Sequence, residues 1–289
     1  MTEAAFRFAP SPNGRLHLGH AYSALLNEAL AAKAGGRLLL RIEDIDPGRS
    51  REDHVAAIRA DLAWLGIAFA PPVRRQSGHM ADYAAAAGRL GTLLYPCLCS
   101  RADIARDAAA LAARLGGEIL RDPDGAPLYP GTCRQRPRAE IGHRIAAGER
   151  PTLRLDMAAA IRGSVPLRWT RFGQDLETTE VEARPERWGD VVLVRRETPT
   201  SYHLSVVVDD ALQEISHVVR GRDLEAATDL HRLLQAMLGL PSPRYHHHDL
   251  VLDEAGLKLA KSAGSTTLAE LRSRGESPAA IRARLGFPR

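Results

Sequence analysis

Two histidines near the start of the chain have the types and spacing that suit phosphate chemistry. His17 and His20 stand three residues apart with Gly19 between them, where an apolar strand, a Pro/Gly turn and a helix start follow one another. A helix N-terminus offers backbone N–H groups and the positive end of its dipole to an anion. On a helical turn the two imidazoles share one face. A solvated loop with two incidental histidines is the alternative.

A pair of lysines near the end of the chain strengthens this interpretation. The chain holds 39 basic residues, and the lysines among them are Lys33, Lys258 and Lys261. Two of these three lie in one small-residue loop, although the chain otherwise uses arginine. Lysine is a compact charge on a flexible stem, which suits it to follow a moving phosphate. The alternative is an exposed loop in which Lys and Arg are interchangeable.

The cysteines form a third candidate site. They are Cys97, Cys99 and Cys133, and their odd number argues against a disulfide framework. Cys-x-Cys followed by another cysteine suits a tetrahedral zinc site with one ligand still to be found. Chemistry alone favours a histidine, and His143 is the nearest. Three buried thiols without a metal are the alternative.

The elements that would position these residues alternate between strand and helix. The sequence predicts a strand at Phe6 to Ala9 and a helix at about 20–34. It also predicts a buried parallel strand at Arg37 to Ile42, because that run is almost continuously apolar. This order favours a doubly wound α/β fold with a parallel sheet. Glu43 follows the second strand, at the edge where such sheets bind ligands.

Further elements follow from local patterns. Ser50 predicts a helix N-cap, and 202–210 predicts a strand that leads towards Arg220. The Ala- and Arg-rich segment 102–128 predicts a helix followed by a turn at 122–125, and 277–285 predicts a short closing helix.

Composition and charge set broad limits. The chain has 289 residues, of which 45% are hydrophobic and 26% charged, as in soluble globular proteins. No apolar run approaches the ~20 residues of a membrane span and no signal peptide is apparent, so a cytoplasmic setting is expected. Six arginines and two glutamates between 134 and 154 give that segment a charge of +4, equal to the net charge of the chain. The segment predicts either phosphate contact or a solvated helical face.

The motifs together resemble those of a known class of enzymes. The HIGH signature of class I aminoacyl-tRNA synthetases is similar to His17-Leu18-Gly19-His20, and their KMSKS loop is similar to Lys258-Leu259-Ala260-Lys261-Ser262, with Leu and Ala in place of Met and Ser. The segments 7–12, 40–46, 202–210 and 219–221 resemble the glutamyl branch of that class, and they occur in the family's order.

The resemblance implies a pocket for L-glutamate beside a site for ATP, with Mg²⁺ accompanying the ATP. Glu43 would hold the α-amine of glutamate and Arg220 its side-chain carboxylate. The implied glutamate-binding residues are Arg7, Phe8, Ala9, Pro10, Ser11, Glu43, Tyr202 and Arg220. The implied ATP-binding residues are His17, Gly19, His20, Lys258 and Lys261, and His17, His20 and Lys261 would be catalytic.

The cysteine pattern indicates which family within this class the chain resembles. Cys97-x-Cys99 followed by Tyr129-x-x-x-Cys133 resembles the zinc-binding region of the glutamyl-Q tRNA(Asp) synthetases. This implies one structural Zn²⁺ held by Cys97, Cys99, Tyr129 and Cys133. The insertion at 102–128 departs from the family pattern and puts the fourth ligand in question.

The number of residues after the lysine loop indicates which molecule would accept the activated glutamate. After Lys261 only 28 residues remain, too few for the helical anticodon-binding region of ordinary glutamyl-tRNA synthetases. The resemblance therefore implies a monomeric enzyme that forms glutamyl-adenylate and transfers glutamate to the queuosine base in the anticodon loop of tRNA-Asp. The alternatives are a truncated glutamyl-tRNA synthetase that charges tRNA-Glu and a non-catalytic RNA-binding paralogue.

The same resemblance implies four parts and a Rossmann-like class I synthetase fold. The parts are a catalytic half at 1–95, a zinc-containing insert at 96–187, a second catalytic half at 188–240, and the lysine loop with a small C-terminal helical segment at 241–289.

Overall fold

The computed structural model describes residues 3–162, 165–251 and 266–288. The strands are β1 (Ala5–Phe8), β2 (Arg37–Ile42), β3 (Ala70–Arg75), β4 (Leu94–Cys97), β5 (Thr152–Leu155), β6 (Arg168–Phe172), β7 (Thr178–Glu182), β8 (Val192–Val194), β9 (His217–Gly221) and β10 (Arg244–His248). The α-helices are α1 (Leu18–Lys33), α2 (Glu52–Trp64), α3 (Met80–Leu90), α4 (Arg101–Leu115), α5 (Thr132–Gln135), α6 (Arg138–Ala146), α7 (Met157–Arg162), α8 (Tyr202–Leu212), α9 (Ala227–Met237), α10 (Leu268–Ser273) and α11 (Pro278–Arg284).

The main sheet has seven strands in the order β3-β2-β1-β9-β10-β6-β7. Its neighbouring strands run parallel except for β6 and β7, which form an antiparallel pair. The α/β fold with a parallel sheet is thereby confirmed. The strand order reverses at β1, which lies between β2 and β9, and ligands bind at the carboxyl ends of strands at such a point.

A smaller antiparallel sheet has the order β4-β5-β8. Between β4 and β5 lie α4, the predicted turn at 122–125, α5 and α6. The segment 168–182, expected within the insert, instead pairs with β10 of the main sheet. The division of the chain into four parts remains a proposal.

Helix α8 corrects the prediction of a strand at 202–210. The run of three valines at 206–208 has high strand propensity, but residues 204–210 are all buried and the helix packs against α3 and α9. Over these residues the helix has no solvent-facing polar side, so this part of its sequence loses the helical period. The apolar run therefore did not distinguish a strand from a buried helix.

The N-cap predicted at Ser50 is also wrong. The backbone N–H of Ser50 donates to the carbonyl of Asp46 in the preceding turn, and α2 begins after Arg51, which has no side-chain cap. Glu52 and Asp53 occupy the first turn of α2, where negative charge stabilises the helix dipole. The other predicted helices form, with α1 starting at Leu18 and α11 capped by Ser277.

None of the helices in the described part of the chain is long and apolar enough to cross a membrane.

Candidate functional site

A cavity of about 640 Å³ opens where β1 and β9 end and α1 begins. Residues of all these elements contribute to its wall, together with Glu43 after β2 and Tyr202 at the start of α8. The structure thus brings together the following expected ligand-binding residues: Arg7, Phe8, Ala9, Pro10, Ser11, His17, Gly19, His20, Glu43, Tyr202 and Arg220.

The two histidines form the cap of α1. His17 is the N-cap residue, and its Nδ1 accepts the backbone N–H of Gly19 at 3.1 Å. The backbone N–H of His17 donates to Nδ1 of His20 at 3.2 Å, and the ring centroids lie 3.9 Å apart. His17 therefore precedes the helix, and the imidazoles take up backbone N–H groups that were expected to face a ligand.

Gly19 allows this arrangement. A Cβ at Gly19 would lie 3.0 Å from Cε1 of the His17 ring, closer than ordinary van der Waals contact. The missing side chain thus leaves room for the His17 imidazole beside the first turn.

One wall of the cavity is built on a buried ion network. Arg41 is fully buried, and its Nη1 donates to Oδ1 of Asp210 at 2.7 Å. Arg7 Nε donates to the same oxygen at 3.2 Å, and Arg41 Nη2 donates to Glu43 at 3.2 Å. Burial works to raise the pKa of Asp210, but Arg41 and Arg7 outweigh it and lower that pKa. Arg7 consequently reaches the cavity already paired with a carboxylate.

For Glu43, burial outweighs the effect of the nearby arginines on the pKa. Burial raises the pKa of its carboxyl above the ordinary value, although Arg41 and Arg7 act to lower it. Tyr202 is near it, and burial likewise raises the pKa of that phenol. A ligand ammonium beside Glu43 would favour the ionised carboxylate.

Arg220 differs from Arg7 and Arg41 because no carboxylate lies within ion-pair distance of it in the described ranges. Its side chain is only 5% exposed and ends on three neutral partners. Nη2 donates to Thr228 Oγ1 at 2.8 Å, Nη1 contacts His231 Nδ1 at 3.3 Å, and Nε donates to His247 Nε2 at 3.4 Å.

The two histidines stay uncharged beside Arg220. Burial, followed by the charge of Arg220, lowers the pKa of His231 well below its ordinary value and that of His247 to about 2. The guanidinium therefore keeps an uncompensated positive charge at the wall of the cavity. Burying such a charge is costly unless an anion pairs with it.

Sequence reasoning missed the residues that support this wall, namely Arg41, Asp210, Thr228, His231 and His247. The sequence does contain a signal for Arg41. Arg41 lies in the otherwise apolar run of β2, and a charged residue there requires a buried partner.

The expected zinc ligands also come together. Ligand atoms of Cys97, Cys99 and Cys133 lie within 4.8 Å of one another. The Tyr129 hydroxyl lies 3.4 Å from Cys97 Sγ and 3.7 Å from Cys99 Sγ. His143 is exposed on α6 and is not part of the group. Three sulfurs and a phenol oxygen form a donor set that fits a tetrahedral zinc ion.

The basic segment 134–154 is largely neutralised by the fold. Arg134 pairs with Asp156 and Asp190, Arg144 with Glu149, and Arg150 with Glu197. Arg136 pairs with Glu140, and Arg154 is buried over the ring of Tyr129. Several of these acids lie outside the segment, so its local charge count overstates its exposed positive charge.

Lys258 and Lys261 lie outside the described residues. The nearest described residues on either side of them line the cavity or contact residues near it. Val251 lines the cavity, and Thr267 forms a bridge with His17, while the N–H of Leu268 donates to the carbonyl of Leu16 at 2.8 Å.

Comparison with known proteins gives a family match over nearly the whole chain. The model for "tRNA synthetases class I (E and Q), catalytic domain" matches residues 3–287. A glutamyl-Q tRNA(Asp) synthetase from Rhodobacter capsulatus is 47% identical over 285 residues, covering 97% of this chain and 99% of that protein. A glutamate–tRNA ligase 2 from Alkalilimnicola ehrlichii is 36% identical over 281 residues, covering 97% of this chain and 57% of that protein.

A solved structure shows the same fold. The glutamate–tRNA synthetase of Elizabethkingia anophelis superposes with a TM-score of 0.77 at 24% identity. The alignment covers 99% of this chain and 61% of that one.

Proposed function

The chain belongs to the class I tRNA synthetases for glutamate and glutamine, and within them to the glutamyl-Q tRNA(Asp) synthetases; from this membership we propose that it activates L-glutamate with ATP and transfers it to queuosine in tRNA-Asp. The observation that carries the first step is Arg220, a buried cation whose partners are neutral. An amino acid with a side-chain carboxylate supplies the missing anion.

The remaining charges of glutamate have matching groups in the same cavity. Glu43 accepts the α-ammonium, Arg7 contacts a carboxylate, and Ser11 and Tyr202 add hydrogen bonds. Glutamine lacks the side-chain charge, so it would lose a charge-assisted pair of about 1.5–3 kcal/mol with Arg220. The pocket therefore favours glutamate.

The activation step needs alignment more than acid–base chemistry. The α-carboxylate of glutamate is ionised at pH 7; its oxygen attacks the α-phosphorus of ATP, the bond to the bridging oxygen breaks, and pyrophosphate leaves. His17, Gly19 and His20 contact the ATP phosphates, and Lys258 and Lys261 neutralise the leaving pyrophosphate. Mg²⁺ accompanies the ATP.

Transfer to queuosine is supported by the relative that this chain matches over nearly its full length. A hydroxyl of the acceptor attacks the carbonyl carbon of glutamyl-adenylate, AMP departs with the former bond electrons, and the hydroxyl proton passes to solvent. Charging of tRNA-Glu is the second candidate, because glutamate–tRNA ligases are also similar to this chain. Cys97, Cys99, Tyr129 and Cys133 would hold one zinc ion, which would fix the base of the inserted region.

An acceptor assay separates these candidates. The protein is incubated with radiolabelled glutamate, ATP and one of three RNAs: queuosine-containing tRNA-Asp, the same tRNA with guanine in place of queuosine, or tRNA-Glu. We expect label on the first alone. Label on tRNA-Glu alone would replace the proposal by the second candidate, and no glutamate-dependent ATP–pyrophosphate exchange, with or without tRNA, would favour a non-catalytic paralogue.

A further inference from the structure

The hydrogen-bond partners of the Arg220 guanidinium come from two elements other than its own strand. Arg220 lies on β9, Thr228 and His231 lie on α9, and His247 lies on β10. Thr228 and His231 are 0% and 2% exposed, so the protein itself must supply acceptors for the guanidinium. Because arginine has donors only, each partner must direct a lone pair towards it. This requirement fixes where each partner carries its own proton.

The proton of His231 is on the ring nitrogen that faces away from Arg220. Its Nδ1 lies 3.3 Å from Arg220 Nη1 and accepts that N–H, so Nε2 carries the proton of the neutral ring. Nε2 in turn lies 3.2 Å from Nδ1 of His203 and donates to it. His231 is thus held from both sides in one tautomer, and a second proton, on Nδ1, would point an N–H at the guanidinium.

His247 is fixed in the same way at another edge of the guanidinium. Thr228 Oγ1 accepts from Arg220 Nη2 at 2.8 Å, and its own proton is donated to His247 Nε2 at 3.0 Å. Nε2 also accepts from Arg220 Nε at 3.4 Å, so Nδ1 carries the proton. This Nδ1 atom is buried and has no hydrogen-bond partner in the described part of the chain. The fold thus leaves one buried N–H unpaired, which costs free energy, while Nε2 binds Arg220.

We propose that His231 determines the preference for an acidic over an amide substrate, because it supplies a lone pair to Arg220 without supplying a negative charge. This inference rests on the proposed function. A carboxylate at this position would accept the same N–H but would neutralise the guanidinium. Charge-assisted hydrogen bonds are roughly twice as strong as neutral ones, so a neutralised Arg220 would distinguish glutamate from glutamine less well.

The test compares His231→Asn with His231→Asp, which differ in charge but little in shape. In both side chains Oδ1 is bonded to Cγ, as Nδ1 is in histidine, so either can accept the N–H of Arg220. Kinetic constants for glutamate and for glutamine are measured by ATP–pyrophosphate exchange. We expect His231→Asn to keep KM for glutamate within about threefold of wild type, since its acceptor is neutral.

The aspartate variant should show the effect of the added charge. KM for glutamate should be about 30-fold higher in His231→Asp than in His231→Asn, with similar kcat, because the ligand carboxylate loses its charged partner. The ratio of kcat/KM for glutamate to that for glutamine should fall by a similar factor. A role in packing alone would affect the two variants equally.

A stability measurement and a second pair of variants cover the case in which position 231 tolerates neither change. Pairing with Arg220 removes the cost of an uncompensated buried charge, so His231→Asp should unfold at a higher urea midpoint than His231→Asn at pH 7. His247→Glu and His247→Gln should show the same difference in KM for glutamate, since Oε1 of either side chain can take the place of Nε2.

The outcomes distinguish this inference from the function on which it rests. Equal KM for glutamate within both pairs of variants, in a protein whose wild type is active, overturns the inference alone. A lower urea midpoint for His231→Asp than for His231→Asn also overturns it, because the carboxylate would then not pair with Arg220. A wild-type protein without glutamate-dependent ATP–pyrophosphate exchange, with or without tRNA, overturns the proposed function as well.

Discussion

Arginine side chains are used differently in the cavity at the ends of β1 and β9 and in the basic segment 134–154. In the segment, Arg144 and Arg150 end on carboxylates, and Arg134 contacts two. In the pocket, Arg220 ends on a threonine hydroxyl and two neutral imidazoles. The region with the larger charge in the sequence therefore has most of its charge neutralised, while one buried arginine keeps its charge available for a ligand.

This difference shows which kind of positive charge indicates a binding site. Exposed ion pairs contribute little to stability, so paired arginines in the segment are compatible with a solvated surface. A buried cation without an anion is destabilising, and a protein retains it only where a ligand or a function compensates. Arg220 is thus stronger evidence for a carboxylate ligand than the six arginines of the segment are for RNA.

Replacing Arg220 with glutamine should give the largest effect on activity. We expect kcat/KM for glutamate in ATP–pyrophosphate exchange to fall on the order of 100-fold, because charge-assisted hydrogen bonds of about 1.5–3 kcal/mol each are lost. The unfolding midpoint should not fall, since the variant removes an uncompensated buried charge. Arg150→Gln, which breaks an exposed pair with Glu197, is the control and should leave exchange unchanged. Equal losses in the two variants would remove the distinction between the regions.

The thermal stability of the insert at 96–187 should depend more on its cysteines than on its arginines. Cys133→Ser should lower the zinc content from about one ion per chain and reduce the thermal midpoint, because a structural zinc ion contributes its binding energy to folding. Elemental analysis and a thermal melt measure the two effects. His143→Gln should retain the zinc because His143 lies outside the cluster. A full complement of zinc in Cys133→Ser would argue against this ligand set.

Two neutral histidines should make stability depend on pH: His247, which contacts Arg220, and His203, whose Nδ1 lies 3.2 Å from Nε2 of His231. Burial lowers the pKa of His247 to about 2 and of His203 to about 4, whereas in the unfolded chain both titrate near 6.5. Because the unfolded state binds protons first, stability is full above about pH 6.5 and falls as pH decreases towards the folded-state values. Each such group contributes up to about 1.4 kcal/mol per pH unit in that window.

The pH prediction can be checked with urea denaturation between pH 7 and pH 5. His247→Gln should make the free energy of unfolding less dependent on pH, whereas the exposed His143→Gln should not. An unchanged pH dependence in His247→Gln would mean that this imidazole is not kept neutral beside Arg220.

The sequence predicts the parallel sheet and the first helix, since apolar runs and turn signals are local features. The resemblance to synthetase motifs also selects residues that the fold brings together in one cavity. The sequence does not predict the neutral surroundings of Arg220, because Thr228, His231 and His247 come from α9 and β10. The pairing of Arg150 with Glu197 is also non-local. Residues 204–210 of α8 are all buried, so this part of the helix lacks the period that would identify it. The errors therefore lie where tertiary contacts decide the outcome.

The smallest predicted effect concerns Arg138, which is exposed at the start of α6 and forms no ion pair in the described part of the chain. If the segment 134–154 contacts RNA, this unpaired arginine should contribute more than Arg144, which Glu149 already neutralises. Arg138→Gln should then weaken tRNA binding a few-fold and reduce the slope of log Kd against log salt by about one. Arg144→Gln should leave both quantities nearly unchanged, because its phosphate contact would first require breaking the bidentate pair with Glu149. Equal effects of the two substitutions would mean that pairing in the free protein does not determine which arginines bind RNA, and the contrast with Arg220 would then hold only for buried charges.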